Sequence, residues 1–319
     1  MLKLLKELIM RNDKKEIIKV IFNLKGRTKY TEKYLNMIKK NYSNDNFFDI
    51  LIINEIGNKL VKKISNKNFN IFNVTSKKKI NGMNDIFREI IQKYFFLNKY
   101  KYCCFVEDDN FIFPQSLAKS KKFLEENNDY IACSGRGFIF SYMEKKYSYL
   151  NFYTLPNTVD DINANIRFQK YNKALCYYSL FRKKFFFKIL KKITKITDDN
   201  MSEVFFNFLA VKFGKIKELN CIYLARKYPR PKIYNIPDKN DWIKNNSLLK
   251  DINTVIRNID NNYLINLSNN SVFKYLSLRF FNNKKITIFS KLIFYFKKYL
   301  FYLSNRYAIN NFINNWNHL

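Results

Sequence analysis

Along the chain, short continuous apolar runs alternate with segments whose apolar residues recur every three or four positions. The first pattern reads as strands buried on both faces, the second as helices with one apolar side. Lys19 to Leu24 is the first expected strand. It runs into Lys25-Gly26-Arg27-Thr28-Lys29-Tyr30, and Thr31 to Lys40 follows with helical spacing at Tyr34, Leu35 and Ile38. Phe48 to Ile53 is a second strand, ending on Asn54-Glu55, and Phe69 to Val74 a third. Asn81-Gly82-Met83-Asn84-Asp85 opens a helix carrying Ile86, Ile90, Ile91, Tyr94 and Phe95. A buried strand from Cys103 to Val106 then stops abruptly on Glu107-Asp108-Asp109-Asn110, and a Pro-led helix is expected from Gln115 to Asn127. Tyr130 to Ser134 reads as a strand that Phe138 to Tyr142 could continue. Tyr147 to Phe187 reads as an irregular aromatic excursion, with Asp160, Asp161, Arg167 and a short strand near Ala174 to Tyr178. A helix from Ser202 to Phe213, stopped by Gly214, and a last short strand from Leu219 to Leu224 complete the pattern. This alternation predicts an α/β domain over residues 1–235: a mostly parallel sheet flanked by helices. A helical C-terminal extension over 236–319 follows it.

Two acidic points carry the candidate chemistry. Three adjacent carboxylates at the end of a buried strand repel one another and gain nothing from packing. A bound cation is the usual reason to tolerate them, and in open α/β sheets ligands bind outside the carboxyl ends of the strands. Hard carboxylate oxygens suit Mg²⁺ or Mn²⁺; the alternative is a solvated acidic turn. The second point is Asp198-Asp199, with Glu203 four residues on, at the start of a helix. There the acids either cap the helix or face a crevice. Lys25, Arg27 and Lys29 flank a glycine after the first strand, where a diphosphate or base can approach backbone, or where a turn is simply solvated. Arg226, Lys227 and Arg230 follow the last strand and are placed to close on a diphosphate.

Composition narrows these options. The 319 residues are 47% hydrophobic and 18% aromatic, enough for a large core without disulfides. The net charge of +32 attracts polyanions: nucleic acid, an anionic membrane face or phosphorylated substrates. His318 is the single histidine, which excludes histidine triads and histidine-rich metal sites. The five cysteines show no metal spacing and suit a reducing compartment. No secretory signal and no apolar run of the ~20 residues needed to cross a bilayer is visible. From Phe273 to Tyr307 the chain is basic and aromatic with no acid, which fits either an anionic membrane interface or packing onto the domain.

Taken in order, these features resemble a glycosyltransferase of the GT-A fold, in the bacterial family-2-like group that builds surface polysaccharides. The resemblance spans Lys19 to Arg230. It rests chiefly on Glu107-Asp108-Asp109-Asn110, which looks like the DXD-type metal motif, with Gly26-Arg27, Asn54-Glu55, the Asn84 helix and Asp198-Asp199 in support. The resemblance implies a nucleotide-diphospho-sugar donor, a glycan or lipid-linked acceptor, and Mn²⁺ or Mg²⁺ held by Asp109, Asp108 and Glu107. It implies donor contacts from Arg27, Glu55, Asn84, Asp108 and Arg226, and a base among Asp199, Asp198 and Glu203 if the reaction inverts the sugar. Asn at the third position of one register leaves the direct metal ligand open. The expected location is the cytoplasm, peripheral to the inner membrane face. A nucleotidyltransferase lacks support from the thin Gly26-Arg27-Thr28 loop, and no nucleic-acid-binding module is present to make DNA or RNA a specific partner.

Overall fold

The computed structural model describes residues 16–23, 28–41, 48–57, 70–76, 79–92, 99–108, 110–143, 146–171, 174–194, 196, 199–228 and 288–318. Its strands are β1 (Ile17–Asn23), β2 (Phe48–Asn54), β3 (Ile71–Thr75), β4 (Tyr102–Glu107), β5 (Asn110–Ile112), β6 (Tyr130–Met143), β7 (Lys146–Tyr153), β8 (Leu180–Arg182) and β9 (Lys215–Tyr228). Its helices are α1 (Thr28–Asn41), α2 (Met83–Gln92), α3 (Pro114–Glu126), α4 (Ala164–Lys170), α5 (Lys183–Ile193), α6 (Asp199–Phe213) and α7 (Ile288–Asn317). All nine strands form one sheet in the order β3-β2-β1-β4-β8-β6-β9-β5, with β7 paired to β6. The pairs β1–β2, β1–β4, β2–β3 and β6–β9 are parallel; β8, β5 and β7 join antiparallel.

The sequence pattern and the fold part company between Tyr147 and Leu224. The expected irregular excursion holds β7, α4 and α5. Every position of β7 after Lys146 is half-buried, so its tyrosines pack without forming an apolar run. In α5 the buried Phe186, Phe187, Ile189, Leu190 and Ile193 are threaded between lysines that mask the helical face. Ala174 to Tyr178 is not a strand: Cys176–Tyr178 form a 3₁₀ turn, and the strand there is β8. The last strand starts four residues earlier and ends four later than expected. Gly135 does not end β6, because a Cβ there would lie 2.5 Å from the Cys221 carbonyl oxygen of β9; the glycine permits the pairing that elsewhere reads as a break.

Buried polar groups tie the elements together. Asp49 at the start of β2 accepts from Asn70 N–H (2.9 Å), Asn70 Nδ2 (3.0 Å) and the Tyr100 hydroxyl (2.8 Å). Arg167 of α4 donates to the Val211 and Lys212 carbonyls, satisfying acceptors that the last turn of α6 leaves without helical partners. Lys19 lies fully buried in β1, donating to the Tyr34 hydroxyl and to the Ile112 carbonyl at 3.0 Å. Its ammonium also sits 5.0 Å from the Tyr34 ring centre and 5.2 Å from that of Phe48.

Burial lowers the Lys19 pKa from its ordinary value to about 8. Between that value and the ordinary lysine range the unfolded chain holds more protons than the folded one, so this group makes stability rise with pH. Below pH 8 both states are charged and the folded state carries the desolvation cost. Lys19→Met removes the titration. The stability difference, wild type minus variant, is expected to shift by about 1 kcal/mol in favour of wild type from pH 7.5 to pH 9. Chemical denaturation of both proteins at each pH measures it, and taking the difference cancels the other titrating groups.

Among the described residues no helix is long and apolar enough to cross a membrane. The last turns of α7 are part of the core: Ile309, Phe312, Ile313 and Trp316 are buried against the sheet, whose Phe138 and Phe140 they meet.

Candidate functional site

The order β3-β2-β1-β4 places the chain's reversal between β1 and β4, since β3 is followed by a return to the far side of β1. The register aligns the strand ends: Thr75 with Asn54, Asn54 with Asn23, and Phe22 with Glu107. Crevices at such a switch point are where open α/β sheets take ligands. Glu55 and the pair Glu107–Asp108 therefore stand at the carboxyl ends of the two strands flanking β1.

Glu55 is buried and accepts from Ile80 N–H at 3.2 Å. The turn beyond it passes through Gly57 at φ 72°, a left-handed conformation that glycine adopts without steric cost. On β4, Glu107 Oε2 accepts from Asn110 Nδ2 and from the Tyr178 hydroxyl, both at 3.0 Å. Tyr178 is fixed in turn: its carbonyl accepts from the Tyr223 hydroxyl (3.0 Å), and its ring stacks on Phe105, with centroids 6.5 Å apart. Asp108, next in the chain, is fully buried, and Glu107 is buried as well.

Arg226 reaches this corner from β9, where it lies opposite Asn110 of β5 in the antiparallel register. Its guanidinium sits 4.7 Å from the Tyr153 ring centre and donates to the Tyr153 hydroxyl. Tyr153 meets Tyr178 edge-on at 6.4 Å. The corner thus unites Glu107 and Asn110 with a cation and two tyrosines.

The second acidic point docks against α2. Asp199 Oδ1 accepts from Asn84 N–H at 2.8 Å, at the helix N-terminus where the dipole favours a carboxylate. Gly82 makes room for it: a Cβ there would lie 1.7 Å from Asp199 Oδ2. The Asn84 amide donates to the Ile196 carbonyl (2.9 Å) and accepts from the Ser202 hydroxyl. Asn84 and Asp199 therefore join the starts of α2 and α6. Glu203 is one helical turn beyond Asp199. Burial pushes the Tyr177 phenol well up, and Glu203, Tyr178, Glu107 and Tyr153 push the same way.

Arg27, Asp109 and Asp198 lie outside the described residues. Among the described residues no group of three metal-ligating side chains occurs. Tyr153 and Tyr178 were not legible as site residues: they are two of the chain's 23 tyrosines, and both fall in the aromatic excursion.

No protein-family model and no curated protein matches the chain. Solved structures similar to it include S. aureus TarS 1-349 in complex with UDP-GlcNAc, 15% identical, covering 76% of this chain and 67% of that one at a TM-score of 0.49. TarS 1-349 is also matched in a second structure at 12% identity, 77% and 74% coverage and a TM-score of 0.44. Against S. aureus TarS the match covers 66% of this chain and 36% of that one, at 13% identity and a TM-score of 0.41.

Proposed function

We propose that the chain is a GT-A-type glycosyltransferase that moves a sugar from a nucleotide-diphospho-sugar to a glycan or lipid-linked acceptor of the cell surface. The observation that carries this reading is the placement of Glu55, Glu107 and Asp108 at the carboxyl ends of β2 and β4, on either side of β1. Glu107 and Asp108 are consecutive buried carboxylates at the end of β4. Mn²⁺ or Mg²⁺ fits them, because Mg²⁺ commonly takes only one or two protein carboxylates and completes its shell with phosphates and water. Glu107 and Asp108 would hold it, joined by Asp109. When bound, the ion would stabilise the charge that develops on the leaving diphosphate.

The chain's own groups supply the rest. Asn110 and Tyr178 orient Glu107 by two donated hydrogen bonds. Arg226, held over the Tyr153 ring, brings a fixed positive charge to this corner, and Arg27 would add to it on binding a diphosphate. Glu55 faces the nucleoside. If the sugar is inverted, the acceptor hydroxyl gives its proton to a carboxylate at the start of α6. Asp199 is the first candidate for that role by position, with Asp198 and Glu203 behind it.

A thermal-shift panel of nucleotide diphosphates and nucleotide-sugars, with and without Mn²⁺, tests the reading. One nucleotide series should stabilise the protein by about 2.7 kcal/mol at a concentration a hundredfold above its Kd, a rise of several degrees, and Mn²⁺ should enlarge the rise. Absence of any nucleotide-dependent shift, together with salt-sensitive retention on DNA, would overturn it in favour of a polyanion-binding protein.

A further inference from the structure

The two halves of α7 differ on their outward side. From Phe301 onward one side of the helix packs on the domain: Phe301 meets Phe152 at 6.0 Å, Tyr302 meets Tyr149 at 5.1 Å, and Ile309, Phe312 and Trp316 are buried. The opposite side faces outward. In the last turns it carries Asn310, Asn311, Asn314 and Asn317, all exposed, as a solvated face should. In the preceding turns the same side carries Phe296, Tyr299, Leu300, Leu303 and Tyr307, whose spacing of three and four keeps them together. Phe296 is 62%, Tyr299 59% and Tyr307 85% exposed. Solvation alone explains the asparagine half and not the aromatic half.

The charges beside this face select its partner. Lys297 and Arg306 are exposed next to it, and the 30 residues of α7 include no acid. The whole chain carries +32. Cations flanking an aromatic and aliphatic face that does not span a bilayer are the pattern of a helix lying in a membrane interface.

We infer that the outward face of α7 around Phe296–Tyr307 docks on an anionic lipid surface, inserting its apolar side chains while Lys297 and Arg306 meet the headgroups. This inference stands apart from the transferase reading, because it uses no residue of the acidic corner.

A chain this basic adsorbs to anionic vesicles by charge alone, so the test must read insertion. Full-length Phe296→Trp, compared with wild type, is mixed with phosphatidylglycerol–phosphatidylcholine vesicles with and without brominated acyl chains. The added tryptophan should shift to the blue and be quenched by the brominated lipid. It should do neither with phosphatidylcholine alone. Adding Leu300→Ser and Leu303→Ser should weaken vesicle binding about tenfold or more while leaving the thermal midpoint unchanged. Binding without quenching, or equal binding by the serine variants, would overturn the inference by reducing it to surface charge. A serine variant that changes from dimer to monomer without losing lipid binding would assign the face to a second copy. One that loses thermal stability in solution would assign the face to the segment 229–287.

Discussion

Asp108→Asn is expected to lower sugar-transfer turnover by about 10²–10³-fold while leaving the protein folded, the size of effect found when one preorganised charge-stabilising group is removed. The substitution keeps the shape of a fully buried side chain and removes one of two adjacent negative charges. Without metal, the variant should stay folded with a midpoint close to that of wild type, because the substitution keeps the size and shape of the side chain. With Mn²⁺ and nucleotide, wild type should gain several degrees and the variant little. These two signs distinguish a ligand-holding carboxylate from a structural one. A structural Asp108 would give the reverse result, a lowered midpoint without ligand and an undiminished response to nucleotide. Glu107→Gln supplies a graded comparison. Its Oε2 accepts from Asn110 and Tyr178, so loss of charge there also weakens the hydrogen bonds that orient it, and stability should fall modestly along with turnover.

The first half of the sheet was readable because each strand states its burial locally. Ile17–Asn23, Phe48–Asn54 and Tyr102–Glu107 are apolar runs with abrupt polar ends, and those ends are the site. β9 was less readable. It is 14 residues long, its only continuous buried run is Ile222 to Ala225, and half of it reads as a polar linker. The Glu107–Asp108 corner was legible as a string of acids. What holds it was not: Tyr178 arrives from 71 residues away in sequence, and Arg226 through a pairing register that no local pattern encodes. The Asn84–Asp199 contact shows the same limit. Each residue looked like the start of a helix, and each is; that one caps the other across 115 residues follows only from the packing of α2 against α6. In the basic aromatic C-terminal segment, one side of α7 packs on the domain and the other is exposed.

The largest stability effect should come from that helix. Phe312 is buried, with ring centres 5.2 Å from Phe140, 5.3 Å from Phe111, 5.4 Å from Phe113 and 5.5 Å from Phe138, and it stacks on Trp316 at 5.6 Å. Phe312→Ala leaves a cavity lined by aromatic rings that belong to β5, β6 and the entrance to α3, too many separate elements to collapse into the space together. Substitutions of this kind cost about 3–5 kcal/mol. Domains are stable by only about 5–15 kcal/mol, so the thermal midpoint should fall by roughly 10 °C. Asn314→Ala, exposed two residues away, should change stability by less than about 0.5 kcal/mol. The contrast measures whether α7 is an appendage or a wall of the core. Phe111 follows Asn110 directly on β5, and Asn110 donates to Glu107. A cavity behind Phe111 therefore loosens the strand that orients Glu107, and nucleotide binding should weaken in Phe312→Ala even below its lowered midpoint, while remaining unchanged in Asn314→Ala.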